Sequence, residues 1–173
     1  MVFLCLWFDG QIENRTKTMK QLTCDLYIPN ILDDYSPLEF LHLFESKFIY
    51  NPDQFYQGYL NVNIRRIALV NFVLEFRKRS MQIFNVPIQY RDHQNLSIDQ
   101  AYEYACKEKD LEKYQIYQSS FMGMNHPLYF CFPLVNLQGE EKVGGSISVD
   151  KLDGHIWSLD EKEEYEYDFN GSL

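Results

Sequence analysis

Apolar and polar positions alternate near the start of the chain and predict short β-strands. Residues 2–8 are apolar and run into Asp9-Gly10, a pair that tolerates the positive φ angles of a two-residue hairpin turn. Residues 11–19 alternate weakly and are expected to form the returning strand. Residues 22–28 carry an apolar side chain at every second position up to a proline, which predicts a further strand.

Two helices are predicted next. Ser36, followed by a proline and by Glu39, predicts a helix start, because the serine side chain caps the first-turn amides and Glu39 reaches back to the serine amide. Apolar residues at helical spacing carry this helix through Ile49, and a second helix is expected at 63–84. The basic residues on the second helix are expected to form a solvated face; they are Arg65, Arg66, Arg77, Lys78 and Arg79.

The pattern after residue 96 predicts one short helix and then strands. Ser97, with Gln100 three residues later, repeats the capping pattern and opens a helix that ends near Asp110. Strands are expected at 114–122, 128–137, 143–149 and 155–159. Because the connections between them are short, these strands are expected to pair as an antiparallel meander.

This order of elements predicts an α+β fold, with an N-terminal β-hairpin and helices packed on a C-terminal antiparallel β-meander. The chain, residues 1–173, is expected to form a single domain, since the loop at 87–96 is too short for a linker. Residues 1–96 supply the hairpin and two helices, and residues 97–169 supply the helix and the sheet.

Composition and charge narrow the classes of function. Apolar residues make up 46% of the chain and charged residues 24%, which excludes disorder over the whole length. The net charge of −9 arises in residues 96–173, and −5 of it falls within residues 160–168. Such a field repels nucleic acid and anionic membranes and attracts basic partners. We therefore expect no nucleic-acid or membrane binding.

Motifs for catalysis, metals and cofactors are missing from the sequence. The cysteines lack C-x-x-C spacing, and no histidine has a second ligand-type residue four positions away on a helix. Gly144-Gly145-Ser146 is not a nucleophile elbow, and residues 150–154 are better explained as a turn between strands than as a calcium loop. We expect a non-enzyme without cofactor or metal. Residues 1–8 lack the basic region and cleavage site of a signal peptide, which favours a cytoplasmic location.

The segment 160–169 is the strongest candidate for a binding surface. Tyrosine and phenylalanine alternate there with carboxylates, which predicts an edge strand with rings on one face and acids on the other. An equally weighted interpretation is a solvated last strand whose tyrosines complete the core. The predicted partner contacts are Asp160, Glu161, Glu163, Glu164, Tyr165, Glu166, Tyr167 and Asp168, with Glu140 and Glu141 on a neighbouring turn.

Residues 97–159 resemble the YrhB-like immunity domain of bacterial polymorphic-toxin systems. The resemblance lies in the helix with Ala101-Tyr-Glu-Tyr-Ala105, the aromatic run 128–132, and Gly144-Gly-Ser-Ile-Ser-Val-Asp150 followed by a glycine turn and a short strand. The resemblance implies a cystatin-like or immunity-protein-like α+β fold. It also implies an immunity protein that binds a cognate toxin and occludes its active site.

Two other functions stay open at this point. One is a small-molecule-binding or lyase-type domain of the cystatin-like class, which needs a polar group such as His126, Tyr129 or Asp150 directed inward with a perturbed pKa. The other is a homodimeric scaffold that uses its aromatic strands as the interface. A ligand cavity favours the first, and a large apolar self-contact favours the second.

Overall fold

The computed structural model describes residues 22–108, 114–116, 126–136 and 141–170, without the side chains of 141–144, 164 and 166–170. The N-terminal hairpin expected at residues 2–19 lies outside the described residues. The chain divides into two compact units. The first unit comprises residues 1–88 together with 164–173, and the second comprises residues 89–163.

The first unit contains an antiparallel sheet organised around one central strand. Its strands are β1 (Thr23–Ile28), β2 (Gly58–Tyr59), β3 (Ile64–Arg65) and β4 (Phe84–Pro87). Strand β4 pairs with β1 over four residues, while β2 and β3 pair with opposite ends of β1. The strand predicted at 22–28 is therefore confirmed as β1, and its alternating apolar side chains are fully buried.

A buried carboxylate joins the central strand to the loop between β2 and β3. Asp25 accepts hydrogen bonds from the backbone amides of Asn61 at 2.8 Å and Val62 at 2.9 Å, and from Leu26 N at 2.8 Å. Asn61 has a φ of 59°, in the left-handed region that asparagine tolerates. These bonds hold the loop against β1, where the next residues form β3.

The two helices predicted within residues 36–84 are present in the first unit, and both differ in extent from the prediction. The first is a 3₁₀-helix at Ser36–Leu43, and it ends before the expected Ile49. Ser36 does not cap it, because its amide and hydroxyl both donate to Asp34. The second helix, α1, spans Arg66–Lys78 and not residues 63–84, since residues 84–87 belong to β4. Its core side is formed by Leu69, Val70, Val73 and Phe76.

The second unit is a three-stranded antiparallel meander with helices. Its helices are α2 (Gln89–Asp92), α3 (Ile98–Cys106) and the start of α4 (Leu159–Asn170), and its strands are β5 (Tyr114–Ile116), β6 (Tyr129–Asn136) and β7 (Glu141–Asp150). Ala101 and Ala105 of α3 pack in one apolar cluster with Phe132 of β6 and Val149 of β7. The strand order is β5-β6-β7, so the predicted α+β class and the meander are confirmed.

The start of α3 agrees with the sequence pattern, whereas its end and the last predicted strand do not. Ser97 and Gln100 form the predicted capping box, although α3 ends at Cys106 and not near Asp110. The fourth strand predicted at 155–159 is wrong: Ile156 makes one isolated bridge to Val149, and the helix α4 then begins. Among the described residues, no helix has the length and apolar character needed to cross a bilayer.

Candidate functional site

The acidic C-terminal segment forms the helix α4, so the predicted edge strand is wrong. Ser158 caps this helix: Glu161 N donates to Ser158 Oγ at 3.2 Å, and Ser158 N donates to Glu161 Oε2 at 2.8 Å. This is the same reciprocal box that opens α3. Asp160 and Glu161 occupy the first turn, where the partial positive charge of the helix end stabilises carboxylates. The S-x-x-E signal at Ser158 outweighs the alternation that follows it.

Tyr165 is the aromatic residue of α4 whose side chain the structure describes. Tyr165 is only 3% exposed. Its hydroxyl donates to Asn85 O at 2.5 Å, and the Arg66 guanidinium lies 4.9 Å from its ring centroid. Tyr165 therefore belongs to the core of the first unit, as the second interpretation expected of the tyrosines, and its prediction as a partner contact with an exposed ring is wrong.

Burial of Arg66 also corrects the expected solvated face. Its side chain is almost fully buried and donates from Nη2 to Tyr165 O at 3.4 Å. Arg65, Lys78 and Arg79 are exposed, and the last two pair with carboxylates, Lys78 with Glu75 and Arg79 with Asp34 and Glu75. The basic cluster is thus divided between a structural arginine and surface charges.

The other predicted contact residues have distinct environments. Asp160 and Glu163 are exposed on α4. Glu161 is half-buried and committed to the cap, and its Oε1 lies 3.6 Å from His155 Nε2. The remaining residues lie in elements whose side chains, or whose whole residues, fall outside the description; they are Glu140, Glu141, Glu164, Glu166, Tyr167 and Asp168. Asp160 and Glu163 are consequently the predicted contacts whose side chains the structure places on the surface.

A second cluster surrounds the buried carboxylate of Asp150 at the end of β7. Its Oδ2 accepts from Tyr90 Oη at 2.5 Å and Trp157 Nε1 at 2.8 Å. Its Oδ1 accepts from the backbone amides of Leu152 at 2.7 Å and Asp153 at 3.4 Å. The two amide hydrogen bonds fix the turn after β7, which the sequence predicted for residues 150–154. The other two hold Tyr90 of α2 and Trp157 against this turn.

His126 lies buried beside this turn in an aromatic and cationic environment. Its ring stacks on Tyr129 with centroids 3.8 Å apart, and its Nδ1 accepts from Leu128 N at 3.3 Å. Burial, and then the charges of Lys151 and Lys162, lower the pKa of His126 to about 3. The imidazole is therefore neutral at pH 7, with its proton on Nε2.

The backbone carbonyl of His126 holds the Lys151 side chain close to it. The Lys151 ammonium donates to His126 O at 2.7 Å and lies 4.8 Å from the centroid of the Phe130 ring. Burial lowers the pKa of Lys151. The three residues proposed for an inward-facing ligand group thus meet in one region, because Tyr129 also lies 5.1 Å from Trp157, a hydrogen-bond donor to Asp150.

Asp150, Asp153 and His155 bring three potential metal ligands, two carboxylate oxygens and one imidazole nitrogen, within 4.8 Å of one another. The Asp150 oxygens already accept four hydrogen bonds, and Asp153 Oδ1 accepts from His155 N at 3.0 Å and pairs with His155 Nδ1 at 2.6 Å. Partial burial opposes ionisation of Asp153, but the hydrogen bonds from His155 outweigh it and lower the pKa of Asp153. Hydrogen bonding within the turn accounts for this cluster, and the absence of metal stays a prediction.

Comparisons with protein-family models, with curated proteins and with solved structures found no match.

Proposed function

We propose that this chain is a non-enzymatic immunity protein that binds a basic toxin and occludes its active site. The observation that carries the proposal is the acidic start of α4, where Asp160 and Glu163 project from a capped helix. The segment 160–168 holds six carboxylates and one ammonium. The role as an immunity protein is supported by the sequence resemblance of residues 97–159.

The negative charge of the chain indicates a partner of positive charge. Carboxylates on the surface of a chain with a net charge of −9 attract a positively charged protein and raise its association rate. A toxin that acts on nucleic acid needs a basic cleft, which makes it the kind of partner that this surface complements. Glu161 is excluded from the proposed contacts, because its carboxylate stabilises the helix start.

A pull-down from the native host with tagged protein, at low and high salt, tests the proposal. The expected result is one stoichiometric basic partner that is released at high salt, whose toxic activity stops when this chain is added. Recovery of no protein partner would contradict it.

Charge-reversed variants locate the surface. Asp160→Lys with Glu163→Lys should slow association at low salt by about tenfold or more. The matched control is Asp99→Lys with Glu103→Lys on α3. Asp99 is exposed at the same position of a serine-capped helix as Asp160, and the change in net charge is identical. Equal slowing in both variants would assign the effect to net charge and contradict a site on α4.

A small-molecule-binding domain is the second candidate, and His126 is the observation that favours it. The imidazole is buried and its pKa is perturbed, as that alternative requires, and the charges of Lys151 and Lys162 add to the shift. Native mass spectrometry of the purified chain tests this candidate. A bound small molecule that is lost in His126→Phe would support it, and a mass equal to the bare chain would contradict it.

A further inference from the structure

The first unit has an apolar cleft of about 440 Å³ between the 3₁₀-helix and α1. Phe40, Leu43 and Phe44 line one side, and Phe72 of α1 lines the other. Phe40 is 57% exposed and Leu43 is 67% exposed. The opposite side of the same short helix already buries Leu38 in the core. A helix that is apolar on both sides is normally covered on both, so this cleft is expected to receive a partner.

A smaller and strongly acidic pocket of about 300 Å³ lies in the same unit. It is lined by Asp33, Asp34 and Asp53 together with Tyr35 and Tyr50. Within the described part of the chain, no cation pairs with Asp33 or Asp53. Three carboxylate residues around one cavity favour a cation, because opposite charges attract. The pocket therefore suits an ammonium or guanidinium group.

One ion pair joins the two cavities. Arg79, which lines the cleft, donates to Asp34 of the pocket at 2.5 Å and to Glu75 at the edge of the cleft at 3.3 Å. Hydrogen bonds from Ser36, and then the charge of Arg79, lower the pKa of Asp34, so its carboxylate stays ionised. Glu39 adds a further exposed carboxylate at the cleft. Carboxylates thus outnumber cations around both cavities.

We propose that this surface docks a basic amphipathic segment of a partner protein, with apolar side chains in the cleft and a lysine or arginine in the acidic pocket. The segment is recognised by helix-in-groove packing together with charge complementarity. A second copy of this chain fits less well, because it would bring acidic pockets and two net charges of −9 together. The inference does not depend on the partner being a toxin or on α4.

Synthetic peptides provide the test. The probe is a helical peptide of leucine and lysine with its leucines on one face. The comparison peptides carry glutamate in place of lysine, or the same residues in an order that removes the apolar face. Each is titrated into the full chain by fluorescence anisotropy at about 0.05 M and about 0.5 M salt. We expect the amphipathic basic peptide to bind most tightly, and more weakly at the higher salt.

Variants assign the binding to each cavity. Phe40→Ser with Leu43→Ser should weaken peptide binding by about tenfold, because exposed apolar anchors are removed. Asp33→Asn with Asp53→Asn should weaken it by about tenfold at low salt only. The control is Ile49→Ser, since Ile49 is 84% exposed and lines neither cavity. Circular dichroism checks that every variant is folded.

Several results would overturn the proposal. Equal affinity for the acidic peptide would contradict recognition by charge. Unchanged binding in the Phe40 and Leu43 variant would contradict the cleft as the binding site. Equal affinity for the scrambled peptide would reduce binding to non-specific charge. If no peptide binds, and the chain self-associates until Leu43→Ser is introduced, the occupant is a second copy. Loss of binding in the Asp160 and Glu163 variant alone would place the peptide on α4, which separates this proposal from the previous one.

Discussion

Replacing Asp150 with asparagine should destabilise the protein, although the side chain keeps its shape. Both carboxylate oxygens act only as acceptors, Oδ2 for Tyr90 and Trp157 and Oδ1 for the amides of Leu152 and Asp153. An asparagine must present its NH₂ group at one of these two positions. Whichever way the amide is turned, its NH₂ group then faces two hydrogen-bond donors in place of the oxygen that accepted from them.

The expected loss follows from the geometry. The less costly orientation turns NH₂ toward the two backbone amides, one at 2.7 Å and one at 3.4 Å, and so sacrifices one short and one long hydrogen bond. The bonds from Tyr90 and Trp157 then lose their charged acceptor. Since a hydrogen bond to a charged group contributes about 1.5–3 kcal/mol, Asp150→Asn should lower the free energy of unfolding by about 3 kcal/mol.

Urea denaturation at pH 7, followed by circular dichroism and tryptophan fluorescence, measures this loss. Tyr90→Phe is the control, because it removes one donor and leaves Asp150 with three, and should lower the free energy of unfolding by about 1.5 kcal/mol. The double variant should be less destabilised than the sum. A loss below about 0.5 kcal/mol for Asp150→Asn would refute the assignment of Asp150 as the centre of this turn.

Three further predictions concern stability. Gly154→Ala should lower the free energy of unfolding more than Gly58→Ala. Both glycines have φ near +80° (78° and 79°), so alanine is strained by about 1–2 kcal/mol at either position. Only at Gly154 would the added Cβ also lie 2.7 Å from the Tyr104 ring. Equal losses in urea denaturation would contradict that close approach. Ser158→Ala should lower the free energy of unfolding by about 1 kcal/mol and reduce helical ellipticity, and no change would argue against the capping box. Because burial lowers the pKa of His126 from 6.5 to about 3, the unfolded state takes up a proton first as the pH falls. Stability is thus fully present above pH 6.5 and declines toward pH 3 by up to about 1.4 kcal/mol per unit. His126→Phe keeps a ring in the stack and should flatten that decline; an identical pH profile would contradict it.

The elements that the sequence predicted well carry a local signal. Strand β1 combines a period of two with a terminating Pro29, and α3 is capped by Ser97 with glutamine three residues later. At Ser36 the same pattern is misleading, because Asp34 competes for the serine amide and hydroxyl. At Ser158 the alternating rings suggest a strand, although the capping box and the glutamates favour a helix.

Long-range contacts account for what the sequence could not predict. Strands β2 and β3 have two residues each, too few for any periodicity, and depend on the buried carboxylate of Asp25. Nothing local distinguishes Arg66 from the exposed arginine before it, because its burial depends on Tyr165, which is 99 residues away. Likewise, the sequence indicated a turn at Asp150, but Tyr90 completes that site from 60 residues away.

The candidate binding surface was predicted in composition but not in shape. The acidic excess at 160–168 can be read directly from the sequence, and Asp160 and Glu163 are indeed exposed. The sequence could not distinguish Glu161 and Tyr165 from these two exposed residues. The Glu161 carboxylate belongs to the helix cap, and the Tyr165 side chain is buried in the core. The apolar cleft could not be predicted either, because it forms only where Phe40 and Leu43 meet Phe72 of α1, about 30 residues further along the chain.

The site on α4 is tested by the association rate of the co-purified partner. The rate is measured against salt concentration for the wild-type chain and for the two charge-reversed variants. We expect Asp160→Lys with Glu163→Lys to slow association and flatten its salt dependence, while the Asp99 and Glu103 control stays close to wild type. An unchanged rate in the α4 variant, or an equal change in both, would contradict the site on α4.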